Sequence, residues 1–99
     1  YQAKYQVLPA NRMGEAPTQT VNIAGKYCES GDVLVEGCAL PAVQPGDILA
    51  LPATGAYCIP LASNYNVSLK PPIVAVKDGR ATLLRRRETI DDLMACEIS

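Results

Sequence analysis

The stretch Ile73-Val74-Ala75-Val76-Lys77-Asp78-Gly79-Arg80-Ala81-Thr82-Leu83-Leu84 limits the fold more than any other in this sequence. Asp-Gly between two apolar runs supplies the residues that accept positive φ in a tight turn, and is among the strongest short hairpin signals. A two-stranded ribbon is marginal in water on its own, so a chain committed to one needs further strands. Gln19-Thr20-Val21-Asn22-Ile23-Ala24 alternates β-branched and polar residues ahead of Gly25, the pattern of a half-buried strand. Val33-Leu34-Val35 follows the Gly31-Asp32 turn, and Ile48-Leu49-Ala50-Leu51 follows Gln44-Pro45-Gly46-Asp47. In the latter turn Pro45 presets φ and Gly46 can take a positive one. About five or six short strands at close spacing predict an all-β fold, a barrel or sandwich.

Residues 9–18, with Pro9, Gly14 and Pro17, read as loop. One helix is expected near the end of the chain. Thr89 with Asp92 three residues on approximates a capping box, Asp91 and Asp92 suit the positive end of a helix dipole, and Ile90, Leu93 and Met94 form one apolar face. A shorter helical turn is expected around residues 61–65.

Ninety-nine residues suit a single domain. With no Phe and no Trp, its modest core must be filled by Val, Ile, Leu and Ala. A net charge of −1, and no basic run longer than Arg85-Arg86-Arg87, argue against a nucleic-acid partner. No window approaches the ~20 apolar residues of a membrane-spanning helix. The chain opens at Tyr1-Gln2-Ala3, in mid-pattern and without methionine, which reads as a piece of something longer.

Histidine is missing altogether, so proton transfer near neutral pH falls to Cys, Lys, Tyr or a shifted carboxylate. The cysteines stand at 28, 38, 58 and 96 with no Cys-x-x-Cys, so no metal site is expected. Reduced thiols in a cytoplasmic setting are favoured over two disulfides.

Cys28-Glu29, in a turn between two apolar runs, is the first candidate for chemistry. A thiol is mostly protonated at neutral pH and can donate a proton, and an adjacent carboxylate disfavours the thiolate. Glu29 can alternatively bind a substrate ammonium. The plainer reading is a buried thiol beside a solvated acid. Gly55-Ala56-Tyr57 is the second: glycine admits close approach of an anion, and a phenol can donate to a phosphate or carboxylate, although a half-buried structural tyrosine fits as well. Arg85-Arg86-Arg87 alternates faces if it lies on a strand, and suits exposed surface or an ion pair to Asp91 or Asp92. Cys38, Cys58 and Cys96 have no acid–base neighbour in the sequence and read as core or surface thiols.

Three segments in order carry a resemblance. "CESGDVL" (28–34), "GDILALPATGAYCIPLASNYN" (46–66) and "LLRRRETIDDL" (83–93) resemble the C-terminal domain of diaminopimelate decarboxylases, in the alanine-racemase-like group of pyridoxal-phosphate decarboxylases. "YQAKYQVLPANRM" (1–13) is similar to the segment leading into that domain. The resemblance implies a Greek-key β-barrel or sandwich with a short C-terminal helix, spanning 1–99 as one domain with residues 1–18 as lead-in and loop. It would be appended to a (β/α)₈ barrel, outside this chain, that holds pyridoxal phosphate on a lysine.

By the same resemblance the active site forms at a homodimer interface. Cys28 would cross to the other subunit and protonate the carbon that has lost CO2, while Glu29 contacts the distal amino end of an amino-acid substrate. Tyr57 would lie by the cofactor, its phosphate and the substrate in its own subunit, and Tyr1 would meet a substrate carboxylate. The implied activity is decarboxylation of meso-diaminopimelate to lysine. Alternatives are a related decarboxylase with another amino-acid or carrier-linked substrate, or a free-standing β interaction module. Glu29 stands where ornithine decarboxylases have aspartate, which favours diaminopimelate. Val67-Ser68-Leu69-Lys70-Pro71-Pro72 departs from the family's arginine- and proline-rich segment, and Pro60-Leu61 replaces the usual Ser-Met.

Overall fold

The computed structural model describes residues 4–98. Its strands are β1 (Leu8–Pro9), β2 (Gln19–Ala24), β3 (Val33–Leu40), β4 (Leu49–Ala50), β5 (Ile73–Lys77) and β6 (Arg80–Arg85). Two short helices, α1 (Gly55–Cys58) and α2 (Ile90–Met94), and a 3₁₀ turn at Tyr65–Val67 complete the elements. The fold is mainly β, as expected. The strands form three antiparallel two-stranded sheets, β1–β4, β2–β3 and β5–β6, and among the described residues no larger sheet closes a barrel or sandwich. The chain divides into two compact units, one ending at Pro60 and one beginning at Leu61.

In the first unit β2 and β3 make the principal pair. Val21, Ile23, Val35 and Cys38 are half-buried and Leu40 is fully buried, while Thr20, Asn22 and Glu36 face out. Val35 and Cys38 are an odd number of residues apart, which a regular strand would place on opposite faces. A bulge reconciles them: Val21 pairs with Cys38 and Ile23 with Val35, so Asn22 opposes both Glu36 and Gly37. Gly37 takes φ +66° there, and its N–H donates to Asn22 Oδ1 at 2.9 Å. β3 therefore runs through the glycine to Leu40, well past the Val33–Val35 run seen in the sequence.

The segment read as loop over 9–18 in fact begins inside a strand. Leu8 pairs with Ala50 and Pro9 with Leu49, and Ala10 N–H donates to Ile48 O at 2.8 Å. Asp47 fastens this region. Its carboxylate accepts from Gln44 N–H at 2.7 Å, Asn11 Nδ2 at 2.8 Å and Arg12 Nε at 2.7 Å. Those donors, the Gln44 amide first, hold its carboxyl down at about 2. Gly46, at φ +96°, forms the expected turn beside it.

The second unit opens with a turn at Tyr65–Val67 in which Asn66 takes φ +55°, so the right-handed helical turn expected at 61–65 is not formed, and Asn64 is engaged by the chain that follows. Its Nδ2 donates to Ser68 O at 2.9 Å and to Glu88 Oε1 at 2.8 Å, and Glu88 Oε1 also accepts Lys70 N–H at 2.7 Å. Val67 takes φ +59°, an uncommon conformation for a β-branched residue.

β5 and β6 meet at a turn in which Asp78 (φ +52°) and Gly79 (φ +72°) both take the left-handed conformation, and Lys77 pairs with Arg80. One face of this hairpin carries Val74, Val76 and Leu83, all exposed. At α2 the capping box is complete: Thr89 Oγ1 accepts Asp92 N–H, and Asp92 Oδ2 accepts Thr89 N–H at 2.8 Å. Arg86 grips the same carboxylate with both terminal nitrogens, at 2.6 and 2.7 Å, which is the ion pair expected for the arginine run. The guanidinium and the Thr89 amide together push the Asp92 carboxyl well below the usual carboxylate range.

Candidate active-site residues

Cys28 and Glu29 lie in the connection from β2 to β3, residues 25–32, and both are exposed. That position overturns the plain reading of a buried thiol. The base of the connection is closed by Gly25 N–H donating to Asp32 O at 2.9 Å. A tight turn inside it is made by Asp32 N–H donating to Glu29 O at 3.0 Å and Val33 N–H to Gly31 O at 2.8 Å. Tyr27 N–H, one residue before the thiol, donates to Asp32 Oδ2 at 3.1 Å.

Gly25 is there for room: a Cβ on it would overlap the Asp32 carboxylate, whereas one on Gly31 would stand 2.8 Å from Glu29 Oε2, the end of a flexible side chain that can swing aside. That oxygen accepts Gly31 N–H at 3.1 Å, so the Glu29 carboxylate is drawn over its own turn while remaining open to solvent. Lys26 Nζ sits 5.9 Å from the centroid of the Tyr27 ring, within cation–π range.

Tyr57 is the third residue of α1 and is 69% exposed. Four residues are too few for a helical period to register, so the sequence does not predict α1. It is held by Ile59 N–H donating to Gly55 O at 3.3 Å, and just before it Thr54 Oγ1 donates to Leu51 O at 3.3 Å. Cys58, read as lacking an acid–base neighbour, has one: Tyr5 Oη lies 3.7 Å from its Sγ. The thiol pushes the Tyr5 phenol up from its ordinary value.

Cys28 and Glu29 thus share one loop, and Tyr57 stands on a separate element. Tyr1 lies outside the described residues. All four cysteines are thiols, not disulfides. Among the described residues no cluster of His, Cys, Asp or Glu could hold a metal ion, and no helix is long and apolar enough to cross a membrane. Asp32 is the residue that the sequence does not single out. It stands there only as half of the Gly31-Asp32 turn, and its contacts with Gly25 and Tyr27 exist only once the loop has closed.

A family profile described as pyridoxal-dependent decarboxylase, C-terminal sheet domain, matches residues 1–55. Among curated relatives, a diaminopimelate decarboxylase of Synechocystis sp. is 53% identical over 95% of this chain and 20% of that protein. One from Bacillus subtilis is 49% identical over 99% of this chain and 22% of that protein. The chain therefore spans about a fifth of the length of the relatives it matches. Among solved structures, a diaminopimelate decarboxylase from M. jannaschii in complex with L-lysine superimposes with a TM-score of 0.87 and 36% identity, over 100% of this chain and 22% of that one.

Proposed function

Since this chain belongs to the pyridoxal-dependent decarboxylases, as their C-terminal sheet domain, we propose that it completes the active site of a diaminopimelate decarboxylase. In this reading it works with a cofactor-bearing barrel beyond the chain and with a second copy of the enzyme, in the cytoplasm. The observation that carries the proposal is the pairing of an exposed thiol and an exposed carboxylate, Cys28 and Glu29, on one closed loop at the end of the β2–β3 pair.

Each residue has a task its chemistry allows. Diaminopimelate carries an ammonium at both ends, so a site that decarboxylates one end must still hold a cation at the other. Glu29, an exposed carboxylate with one oxygen on the Gly31 amide, is the partner for that cation. Cys28, its neighbour, carries the proton delivered to the carbon from which CO2 has left. Pyridoxal phosphate, when bound, supplies the electron sink for that carbon. The phenol of Tyr57 is exposed and its hydroxyl can donate to a phosphate. The proposed division of labour, in which the tyrosine serves its own subunit's site and the loop serves the partner's, rests on the family resemblance. Tyr1 keeps its proposed contact with a substrate carboxylate.

The test is CO2 release by the complete reading frame with pyridoxal phosphate, offered meso-diaminopimelate beside ornithine and arginine. The expected result is turnover of diaminopimelate alone. Cys28→Ala should lower kcat by about 10²-fold or more, the usual contribution of a positioned proton donor, with cofactor binding unchanged. Full turnover in that variant rejects the proton-donor role. Turnover of ornithine or arginine instead rejects the substrate.

A further inference from the structure

Within the loop that carries Cys28 and Glu29, three hydrogen bonds converge on Asp32. Two use its backbone: the carbonyl accepts Gly25 N–H, and the amide donates to Glu29 O. These would survive any side chain at this position. The third is particular to the side chain, since Oδ2 accepts Tyr27 N–H at 3.1 Å. The carboxylate reaches it by lying over Gly25, in space that any Cβ at residue 25 would fill. Aspartate at 32 and glycine at 25 are thus two halves of one contact, and it ends on the amide of the residue immediately before the thiol.

We propose that Asp32 is the positioning residue of the site: its carboxylate fastens the backbone at Tyr27 and so sets where Cys28 and Glu29 stand. Gly25 is the second member of that device. The kinetic consequence rests on the roles proposed for Cys28 and Glu29, whereas the fastening itself does not.

The experiment uses the full-length holoenzyme with Asp32→Ala, Asp32→Asn and Gly25→Ala. Loss of an amide–carboxylate bond of this kind changes an equilibrium by about tenfold. Asp32→Ala should therefore raise the hydrogen-exchange rate of the Tyr27 amide about tenfold and lower kcat/KM with diaminopimelate by a similar factor. Asp32→Asn keeps an oxygen that can accept from Tyr27, and should stay within about twofold of wild type on both measures. Gly25→Ala leaves Asp32 in place but displaces its carboxylate, and should match Asp32→Ala.

The proposal is overturned if the Tyr27 amide exchanges at the wild-type rate in both alanine variants, or if Asp32→Asn is as impaired as Asp32→Ala. Thermal melts identify a variant that does not fold, in which case Asp32→Asn and Gly25→Ala decide the matter between them. Should the wild-type enzyme not act on diaminopimelate, the exchange data still decide the fastening, and that failure belongs to the proposed function alone.

Discussion

Replacing Gly37 with alanine tests the bulge that shapes β3. Gly37 has φ +66°, and nothing lies within 4 Å of where its Cβ would stand, so an added methyl neither clashes nor packs. What remains is conformational. An L-residue in the left-handed region costs about 1–2 kcal/mol. A narrower unfolded ensemble offsets about 0.4–1 kcal/mol of that. The net is a destabilisation of about 1 kcal/mol, or about fivefold in a local opening equilibrium. Gly14→Ala is the control, because its surroundings are equally open and its φ is not in the left-handed range. Amide hydrogen exchange of the full-length protein reads the difference. Amides of Val21, Val35 and Cys38 should exchange about fivefold faster in Gly37→Ala and no faster in Gly14→Ala. Wild-type exchange in Gly37→Ala refutes the backbone argument, and equal acceleration in Gly14→Ala refutes its dependence on φ.

Two further outcomes follow from particular residues. The Asp47 carboxyl, held at about 2 against an ordinary 3.8, contributes stability that is fully present above pH 4 and is lost as pH falls toward 2. With the intrinsic pH dependence of exchange divided out, protection of the Ala10 and Ile48 amides should therefore fall over that window in wild type and stay flat in Asp47→Asn; flat wild-type protection would reject the linkage. Val67→Gly relieves a β-branched residue at φ +59° that is 68% exposed and so loses little packing. It should slow exchange around Ser68 by a few-fold, the mirror of the cost for Gly37→Ala, and faster exchange would show that the valine is not strained.

Local chemistry is legible wherever one or two residues decide the backbone. Asp78-Gly79 yields its turn, Thr89 and Asp92 their capping box, and Gly46 its positive φ, because each depends on neighbours in sequence. The alternation in residues 19–24 places β2 at its observed bounds. β1 is hidden because two residues carry no period and one of them is a proline, admitted there as Pro9 beside Leu49. The reach of β3 is hidden by Gly37, which reads as a break until Asn22 is seen to take up its amide. Cys28, Glu29 and Tyr57 are legible as candidates from residue type and from a resemblance, but their exposure is not. Asp32 is the harder case, since its partners are the Tyr27 amide and the empty side of Gly25, and neither leaves a mark in the pattern of side chains.

The hydrogen bonds described for the Cys28–Glu29 loop all run between residue 25 and residue 33. Nothing in them waits for another element or another chain. Ordering backbone on docking costs about 1–2 kcal/mol of affinity for each residue fixed. This loop carries its backbone hydrogen bonds within itself, so that share of the entropy is lost when β2 and β3 pair, and does not weigh on the association proposed above.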